Sequence, residues 1–272
     1  MFVRLLRPPE AVRRRYDLSS PKVVHAAAPC PVDVKHQMIG RWGPILIEYY
    51  GGVEGNGLTI RAATEWLAHP GTVGRSLVGE LKIVGEDSTE LPTGAVGQVY
   101  FAGGPRFSYH NGPEATAAAY HRRGCSSLGD IGYVDDEGYL YLTDRKAYMI
   151  NSGVNIYPQE AENVLVTHPA VADAAVFGIP SLEMGEEVKA LVQLLDVGDA
   201  GPERAAELIA FCRARLSHIK CPRTIDYATD LPRTPTGKLL KRVLRDRAWQ
   251  RPAMCPEGKG GANTAVKPGM RT

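Results

Sequence analysis

The stretch from Leu128 to Glu160, LGDIGYVDDEGYLYLTDRKAYMINSGVNIYPQE, is the feature that most constrains this chain. Within it, residues with a high β-propensity lie on both sides of Asp135–Gly138, a turn sequence that ends in glycine. Two such runs around a short turn predict a β-hairpin. The chain before this stretch and the chain after it have different sequence patterns, so we interpret it as the joint between two domains.

The two ends of this predicted hairpin carry charged side chains that the fold would bring together. Asp130 lies at its entrance, and Asp144 and Arg145 lie at its exit. A carboxylate that accepts two hydroxyl protons, next to a guanidinium that donates, can bind a polyol or a sugar. The spacing alone leaves a second interpretation open, which is an ordinary surface ion pair.

A glycine-rich loop follows a predicted strand in the first half of the chain. The strand, PILIEY at residues 44–49, is followed by Tyr50–Gly57, YGGVEGNG. A loop of this kind exposes backbone N–H groups, which commonly hold phosphate. It is not a dinucleotide-binding fingerprint, because the GxGxxG spacing is absent.

A second loop, LPRTPTGK at residues 231–238, presents one lysine. Its two prolines and its glycine predict a tight turn with Lys238 at the tip. It is not a Walker A loop, because Pro232 occupies the first glycine position and Leu239 follows the lysine. Taken alone, a PxTGK sequence is most simply a surface turn.

Several short motifs occur here in the order of one protein family. GDIGY, LTDRK, NIYPQE and PRTPTGK together resemble the adenylate-forming acyl-CoA synthetases, whose superfamily also holds luciferases and nonribosomal adenylation domains. The resemblance runs from about Phe2 to about Trp249. It implies ATP-dependent conversion of a carboxylic acid to an acyl-adenylate, followed by transfer to CoA, with a preference for fatty acids. ATP or AMP, Mg²⁺ and CoA are the ligands that it implies.

The resemblance also implies roles for residues of this sequence. Lys238 would be catalytic, bridging the substrate carboxylate and the α-phosphate, and Glu54 would hold magnesium. Small residues that follow a predicted strand at 22–25 would lie along the adenine, although a plain strand-to-helix turn explains them equally well. The implied nucleotide and CoA residues are Ala27, Ala28 and Tyr50 at the adenine, Asp130 and Arg145 at the ribose, and Gly153 in the loop that shapes the pantetheine tunnel.

The sequence departs from the family pattern in several places. Val53 stands where a phosphate-binding Thr is expected, and the loss of its hydroxyl would cost about 1 to 3 kcal/mol if the phosphate oxygen stays desolvated. The loop at 149–156 is one residue short, and Ala147 replaces the usual charged hinge residue. No Ser/Thr/Gly-rich phosphate loop of the family's kind occurs. The resemblance is therefore to the C-terminal portion of such a ligase, and we expect the chain alone to be weak or inactive.

The predicted fold class is α+β. The end of a large AMP-binding domain, made of strands and a small antiparallel or barrel-like subdomain, would join a small α+β C-terminal domain through a hinge. The predicted boundaries are 1–143 for the truncated AMP-binding domain, 144–147 for the hinge, 148–249 for the small domain and 250–272 for a disordered tail rich in Gly and Pro.

Composition excludes several other classes of protein. The net charge of +2, with no block of basic residues, argues against a dedicated nucleic-acid binder. No signal peptide and no membrane-spanning run is evident. Five widely spaced cysteines without a CxxC pair favour a reducing cytoplasm and no structural zinc. The expected partners are a small carboxylate, nucleotide and CoA, together with transient contact with a membrane surface and a complementing N-terminal half.

Two alternatives remain open at this stage. The missing phosphate loop, Val53 and the shortened 149–156 loop are equally consistent with a non-catalytic remnant, or with a module that binds a nucleotide or a partner. A luciferase-like or nonribosomal adenylation domain would carry the same motifs.

Overall fold

The computed structural model describes residues 2–13, 15, 17–18, 20–27, 30–121, 123–152, 154–181, 183–234 and 238–249. Ala28, Gly153 and the predicted tail at 250–272 lie outside these residues. Two four-stranded sheets, one three-stranded sheet and a two-stranded ribbon form within the described part of the chain, with helices packed beside them. The α+β class predicted from the sequence is therefore confirmed.

The first sheet has the strand order β1–β2–β3–β4. β1 (Val23–His25) pairs parallel with β2 (Leu46–Gly51), and β3 (Leu58–Ala62) and β4 (Arg75–Val78) continue antiparallel. Two short helices, α1 (Phe2–Leu6) and α2 (Glu10–Arg13), precede it. The apolar side of α3 (Val32–Trp42) packs with α4 (Ala63–Ala68) on this sheet. The core of this layer consists of Met38, Ile39, Leu46, Ala63 and Trp66.

A charged cluster is buried between α3 and the first sheet. Glu48 of β2 is paired in register with His25 of β1 on one side and with Arg61 of β3 on the other. The Glu48 carboxylate accepts from Lys35 of α3 and from Arg61, and it lies 3.2 Å from Nε2 of His25. Lys35 and Arg61 are only 2% and 3% exposed, so two cations share one carboxylate away from water.

The second sheet is antiparallel, in the order β5–β6–β7–β8. Its strands are β5 (Glu80–Val84), β6 (Gly97–Ala102), β7 (Asp130–Val134) and β8 (Leu140–Arg145), with α5 (Pro113–Ala119) between the second and the third. The antiparallel prediction is confirmed, but the barrel-like alternative is wrong. In the described residues, β5 and β8 are the two edges of an open sheet, and β8 turns toward the first sheet through an isolated bridge from Leu140 to Gly74.

The hairpin predicted around Asp135–Gly138 forms from β7 and β8. The side chain of Asp135 fixes the turn by accepting from the backbone N–H groups of Glu137 and Tyr139 at 3.1 and 2.8 Å. Gly138 has a φ of 83°, in the left-handed region that favours glycine. The register pairs Asp130 with Arg145.

A short junction leads from the hairpin into the C-terminal unit. A 3₁₀ turn at Lys146–Tyr148 follows β8, and the ribbon of β9 (Ile150–Asn151) and β10 (Asn155–Ile156) comes next. β8 extends through Arg145, so part of the predicted hinge at 144–147 is strand. The domain boundaries themselves stay a prediction.

The C-terminal unit is a three-stranded sheet with helices on both faces. β11 (Val171–Ser181) pairs antiparallel with β12 (Gly185–Leu194), which pairs parallel with β13 (Thr224–Tyr227). α6 (Pro158–Leu165) and α7 (Pro202–Arg213) cover one face, and α8 (Lys241–Trp249) covers the other. Side chains alternate along a strand, so Ala174 and Val176 face α6 and α7, while Ala175 and Phe177 face α8.

The last helix, α8, begins three positions after Lys238 and not directly after the lysine loop. An isolated bridge joins Arg233 to Leu239, and the N–H of Leu240 donates to the carbonyl of Pro232 at 2.8 Å. These bonds keep residues 239–240 extended, so the helix starts at Lys241. The lysine loop is thus closed by a short extended pair before α8.

None of the helices in the described part of the chain combines the length and the apolar character that crossing a bilayer requires.

Candidate functional site

Asp130 and Arg145 meet at the open end of the hairpin. Because the register places them opposite each other, Nε of Arg145 lies 3.2 Å from Oδ1 of Asp130. Asp130 is only 7% exposed, whereas nearly half of the Arg145 side chain is accessible. Asp130 is therefore a buried acceptor, and the accessible part of Arg145 can donate to a ligand in solvent.

Tyr50 joins this pair from the first sheet. Its hydroxyl donates to Oδ2 of Asp130 at 2.7 Å, and its ring lies over Phe101 with 6.2 Å between the ring centroids. Two residues that the sequence separates by 80 positions are thus in direct contact. A carboxylate has about four acceptor positions, so Asp130 keeps capacity for two further donors.

Burial dominates the electrostatics of this group. It raises the pKa of Asp130, which the hydrogen bond from Tyr50 and the charge of Arg145 offset only in part. Burial and the neighbouring carboxylate also raise the pKa of the Tyr50 hydroxyl, which therefore stays a donor. An ionised Asp130 would gain from additional hydroxyl donors, and these are what a ribose offers.

Lys238 reaches the same place from the C-terminal unit. The carbonyl of Lys238 accepts from the N–H of Thr234 at 2.8 Å, and its own N–H donates to Oγ1 of Thr234 at 3.0 Å. Residues 235–237, at the tip of this loop, lie outside the described residues. The Lys238 side chain is exposed, and Arg145 and Asp130 are close enough for their charges to act on it. Desolvation and the Arg145 charge lower the pKa of Lys238, against the opposing effect of Asp130.

Glu54 lies in the glycine-rich loop and contacts an aromatic residue. The hydroxyl of Tyr109 donates to Oε1 of Glu54 at 2.9 Å. A side chain at Gly52 would collide with Oε2 of Glu54 and with Leu128, so the glycine leaves room for the carboxylate. Val53, which lies between Gly52 and Glu54 in the sequence, is 105% exposed.

A magnesium ion bound with ATP fits this arrangement. No group of three or more His, Cys, Asp or Glu side chains with metal-ligand geometry occurs in the described residues. Magnesium, however, is usually held by one or two carboxylates together with substrate phosphates and water. Glu54 supplies one such carboxylate, and its Oε2 accepts no hydrogen bond from Tyr109.

An open groove of about 630 Å³ lies next to Tyr109. Its walls carry three aromatic rings and a guanidinium, from Phe107, Tyr109, Tyr120 and Arg106. Because Tyr109 belongs both to this wall and to the Glu54 contact, the groove adjoins the predicted phosphate end of the site.

Ala27 is the described member of the predicted adenine segment. It has a φ of 70°, a left-handed conformation that favours glycine. Because β1 and β2 are parallel, their carboxyl ends lie on the same side of the sheet. Ala27 follows the carboxyl end of β1, and Tyr50 lies near the carboxyl end of β2. Ala28 and Gly153 cannot be placed, because both lie outside the described residues.

The structure thus brings three of the predicted site residues, Tyr50, Asp130 and Arg145, into direct contact, and Lys238 is near enough for the charges of Asp130 and Arg145 to act on it. Glu54 belongs to the loop that follows the end of β2 at Gly51. Phe101 and Tyr109 were missed as supports of Tyr50 and Glu54. Only their partners in space reveal these roles, because both contacts span about fifty residues of sequence.

Known proteins resemble both the sequence and the fold. Residues 160–238 match the family of the AMP-binding enzyme C-terminal domain. The long-chain-fatty-acid–CoA ligase of Bacillus subtilis (strain 168) is 36% identical over 249 residues, which are 90% of this chain and 43% of that ligase. The chain therefore spans less than half of that relative's length.

Two solved structures share the fold. The o-succinylbenzoate CoA synthetase of Bacillus subtilis, in complex with its acyl-adenylate intermediate, has a TM-score of 0.74 at 29% identity, over 90% of this chain and 49% of that one. The amide bond synthetase of Marinactinospora thermotolerans has a TM-score of 0.74 at 32% identity, over 90% and 50%. These likenesses confirm the resemblance predicted from the four motifs.

Proposed function

We infer that the chain belongs to the adenylate-forming ligases, whose C-terminal portion it matches, and on that premise we propose that it carries the nucleotide end of an ATP-dependent acid-activating site. In this reaction a carboxylate attacks the α-phosphorus of ATP, which yields acyl-adenylate and pyrophosphate. The thiol of CoA then attacks the acyl carbon, and AMP leaves. The observation that carries the proposal is the convergence of Tyr50, Asp130, Arg145 and Lys238 from separate segments.

Each of these residues has a role that its geometry supports. Asp130 accepts from the ribose hydroxyls, and Arg145, at 3.2 Å from it, donates to the same sugar. Tyr50 keeps Asp130 in position through its 2.7 Å hydrogen bond and offers the accessible part of its ring to the adenine. For Ala27, Ala28 and Gly153 the proposal rests on the sequence resemblance alone, which assigns the first two to the base and Gly153 to the loop that meets the thiol substrate.

Lys238 acts on the reacting anions. Its ammonium neutralises charge as the substrate carboxylate approaches the α-phosphate, and such electrostatic stabilisation is a large part of phosphoryl-group chemistry. Desolvation and the charge of Arg145 lower the pKa of Lys238. Glu54 would hold the magnesium ion of Mg·ATP, and that ion would supply positive charge to the phosphates.

We propose the carboxylic acid substrate, and the molecule that accepts the acyl group, from the proteins that this chain resembles. Similarity to a long-chain-fatty-acid–CoA ligase supports a fatty acid and CoA. The amide bond synthetase, at 32% identity, supports an amine as a second candidate acceptor. We place the reaction in the cytoplasm, and the free thiols of Cys30, Cys125, Cys212 and Cys221 are compatible with that compartment.

The chain alone is proposed to bind nucleotide while being weak or inactive as a ligase. It spans 43% of the Bacillus subtilis ligase, so a complementing N-terminal half would complete the site. The rival proposal, a non-catalytic remnant, is favoured by Val53 at the position of the phosphate-binding Thr. A measurement of nucleotide binding distinguishes the nucleotide-binding portion of a ligase from the non-catalytic remnant.

The test is isothermal titration of the purified chain with AMP and with a non-hydrolysable acyl-adenylate analogue. The wild-type chain is expected to bind both ligands, and Asp130→Ala is expected to lose binding while keeping its circular dichroism spectrum. Asp226→Ala is the matched control, because Asp226 is a half-exposed carboxylate paired with Lys189 at 2.9 Å in the C-terminal sheet. A folded wild-type chain that binds neither ligand would leave the remnant as the better description.

A further inference from the structure

The ion pair of Glu162 and Lys241 lies in the C-terminal unit, outside the site already described. Nζ of Lys241 lies 2.9 Å from Oε1 of Glu162, and each residue is 5% exposed. Surface ion pairs contribute little, but a buried pair has strict geometry because neither charge has water as a substitute. This ion pair therefore restrains α6, which carries Glu162, relative to α8, which carries Lys241.

Glu162 is itself held firmly. It belongs to α6, and its Oε1 also accepts from the backbone N–H of Val176 in β11 at 2.7 Å. The carboxyl group is thus tied to strand β11 of the C-terminal sheet as well as to its own helix. It provides Lys241 with a rigid partner.

Lys241 stands at the point where the lysine loop ends. It is the first residue of α8 and lies three positions after Lys238. The intervening Leu240 is bonded to Pro232, which closes the loop at its base. A shift of Lys241 would therefore be transmitted to Lys238 through the two extended residues between them.

The same helix also contacts the junction between the two halves. The ammonium of Lys241 lies 5.0 Å from the centroid of the Tyr148 ring, and Arg245 donates to the carbonyl of Ala147 at 2.8 Å. The first turns of α8 therefore adjoin two segments next to the proposed site, the lysine loop and the turn after Arg145.

We propose that Glu162 is a positioning residue, which anchors Lys241 at the start of α8 and thereby holds Lys238 over the nucleotide site. This inference rests on the proposed function for the role of Lys238, but the anchoring itself can be measured without any ligand. Charged groups on the other elements around α6 have partners of their own: Lys220 pairs with Glu160, Glu207 with His168, and Asp173 with Arg233. Asp144 is the other carboxylate whose charge acts on Glu162.

The first measurement is hydrogen exchange of the ligand-free chain at pH 8. Burial raises the pKa of Glu162 to about 7, so the carboxyl group is mostly ionised at this pH. The substitution Glu162→Gln keeps the shape of the side chain and removes its charge. We expect the amides of Thr234, Lys238 and Leu240, which form the bonds of the loop, to lose about tenfold in protection.

The control lies on the same helix. Glu160→Gln removes an ion pair of 2.6 Å with Lys220 without touching α8, and it should leave the protection of the loop unchanged. Lys241→Arg should retain that protection because it preserves the charge. If Glu162→Gln does not fold, Lys241→Met carries the same test. Equal loop protection in the wild-type chain and in the charge-removing variant would overturn the proposal.

The second measurement compares the affinities for AMP and for adenosine. Only AMP offers a phosphate to Lys238, so the ratio of the two affinities includes the contribution of the lysine, and a change in this ratio in a variant of Glu162 or Lys238 reports on that contribution. Glu162→Gln and Lys238→Ala should each reduce that ratio about tenfold, while the affinity for adenosine stays constant. Loss of protection with an unchanged ratio would overturn the positioning role, whereas failure of the wild-type chain to bind AMP would count against the proposed function.

Discussion

At the scale of single residues, Asp130 links two sheets because each of its carboxylate oxygens has a different partner. Oδ2 accepts from Tyr50 at 2.7 Å, and Oδ1 lies 3.2 Å from Arg145. Tyr50 thus has two separable contributions, a hydroxyl that orients the carboxylate and a ring that faces the base. Removing only the hydroxyl tells them apart.

The variant Tyr50→Phe should bind AMP about threefold to tenfold more weakly than the wild-type chain. The ring remains, but Asp130 loses one neutral hydrogen-bond donor, which contributes about 0.5 to 1.5 kcal/mol. Calorimetric titration gives the affinity. Tyr227→Phe, which removes a tyrosine hydroxyl bonded to the carbonyl of Gly201 far from the site, is the control. An unchanged affinity in Tyr50→Phe would show that Arg145 alone orients the carboxylate.

Val53 is the second residue whose chemistry can be tested alone. Its side chain is 105% exposed, so Val53→Thr changes no packing. If the loop holds phosphate, the added hydroxyl should tighten AMP binding about threefold to tenfold, with no change in the adenosine affinity. If Val53→Thr binds AMP and adenosine with the wild-type affinities, the result would favour the proposal that the chain is a non-catalytic remnant.

At the scale of elements, the buried cluster around Glu48 joins β1, β2, β3 and α3. Burial works to raise the pKa of Glu48, but His25, Lys35 and Arg61 outweigh it, and the pKa falls below its usual value. Burial lowers the pKa of Arg61 to about 10. Trp66 lies over both cations, at 4.9 Å from Lys35 and 5.9 Å from Arg61. The cluster therefore depends on a single anion.

Replacement of that anion should be costly. Glu48→Gln leaves two buried cations without a counter-charge, and removal of one partner of a buried pair destabilises by about 3 to 5 kcal/mol. The free energy of unfolding from urea titration measures the effect. Glu80→Gln, which removes one of the two carboxylates around Lys82 at the surface, should change it by less than about 1 kcal/mol.

The second element-scale prediction concerns pH. The pKa of Glu162 is raised by burial from 4.5 to about 7, so the folded chain binds more protons than the unfolded chain between these values. The contribution of this carboxyl group to stability is complete below pH 4.5 and is lost as pH rises through about 7. The slope can reach about 1.4 kcal/mol per pH unit.

Glu162→Gln should remove this component of the pH dependence. The measurement is the difference in unfolding free energy between the variant and the wild-type chain at pH 5, 6, 7 and 8. Glu160→Gln again serves as the control. A difference that does not change with pH would contradict the raised pKa.

At the scale of the whole molecule, local pattern predicted several elements and one central contact. The hairpin and the strands β1 and β2 each follow from runs of a few residues in which β-propensity is unambiguous. The meeting of Asp130 and Arg145 follows from hairpin register alone.

Contacts between distant segments were beyond such patterns. Nothing near Tyr50 in the sequence indicates that its hydroxyl meets Asp130, and nothing near Lys241 indicates Glu162, because three-dimensional packing decides both. The open form of the second sheet was also missed, since alternation along a strand is the same in an open sheet and in a closed one. The start of α8 at Lys241 was also beyond the pattern, because the pairing of residues 239–240 with residues 232–233 competes there with helical propensity.

The exposure of Val53 has a consequence for how this chain can change over generations. A side chain that is 105% exposed adds nothing to folding, so a substitution there is invisible to selection for a stable protein. Only selection on catalysis can favour a hydroxyl at that position. The identity of residue 53 therefore records whether its lineage has depended on the chemistry, independently of whether it has depended on the fold.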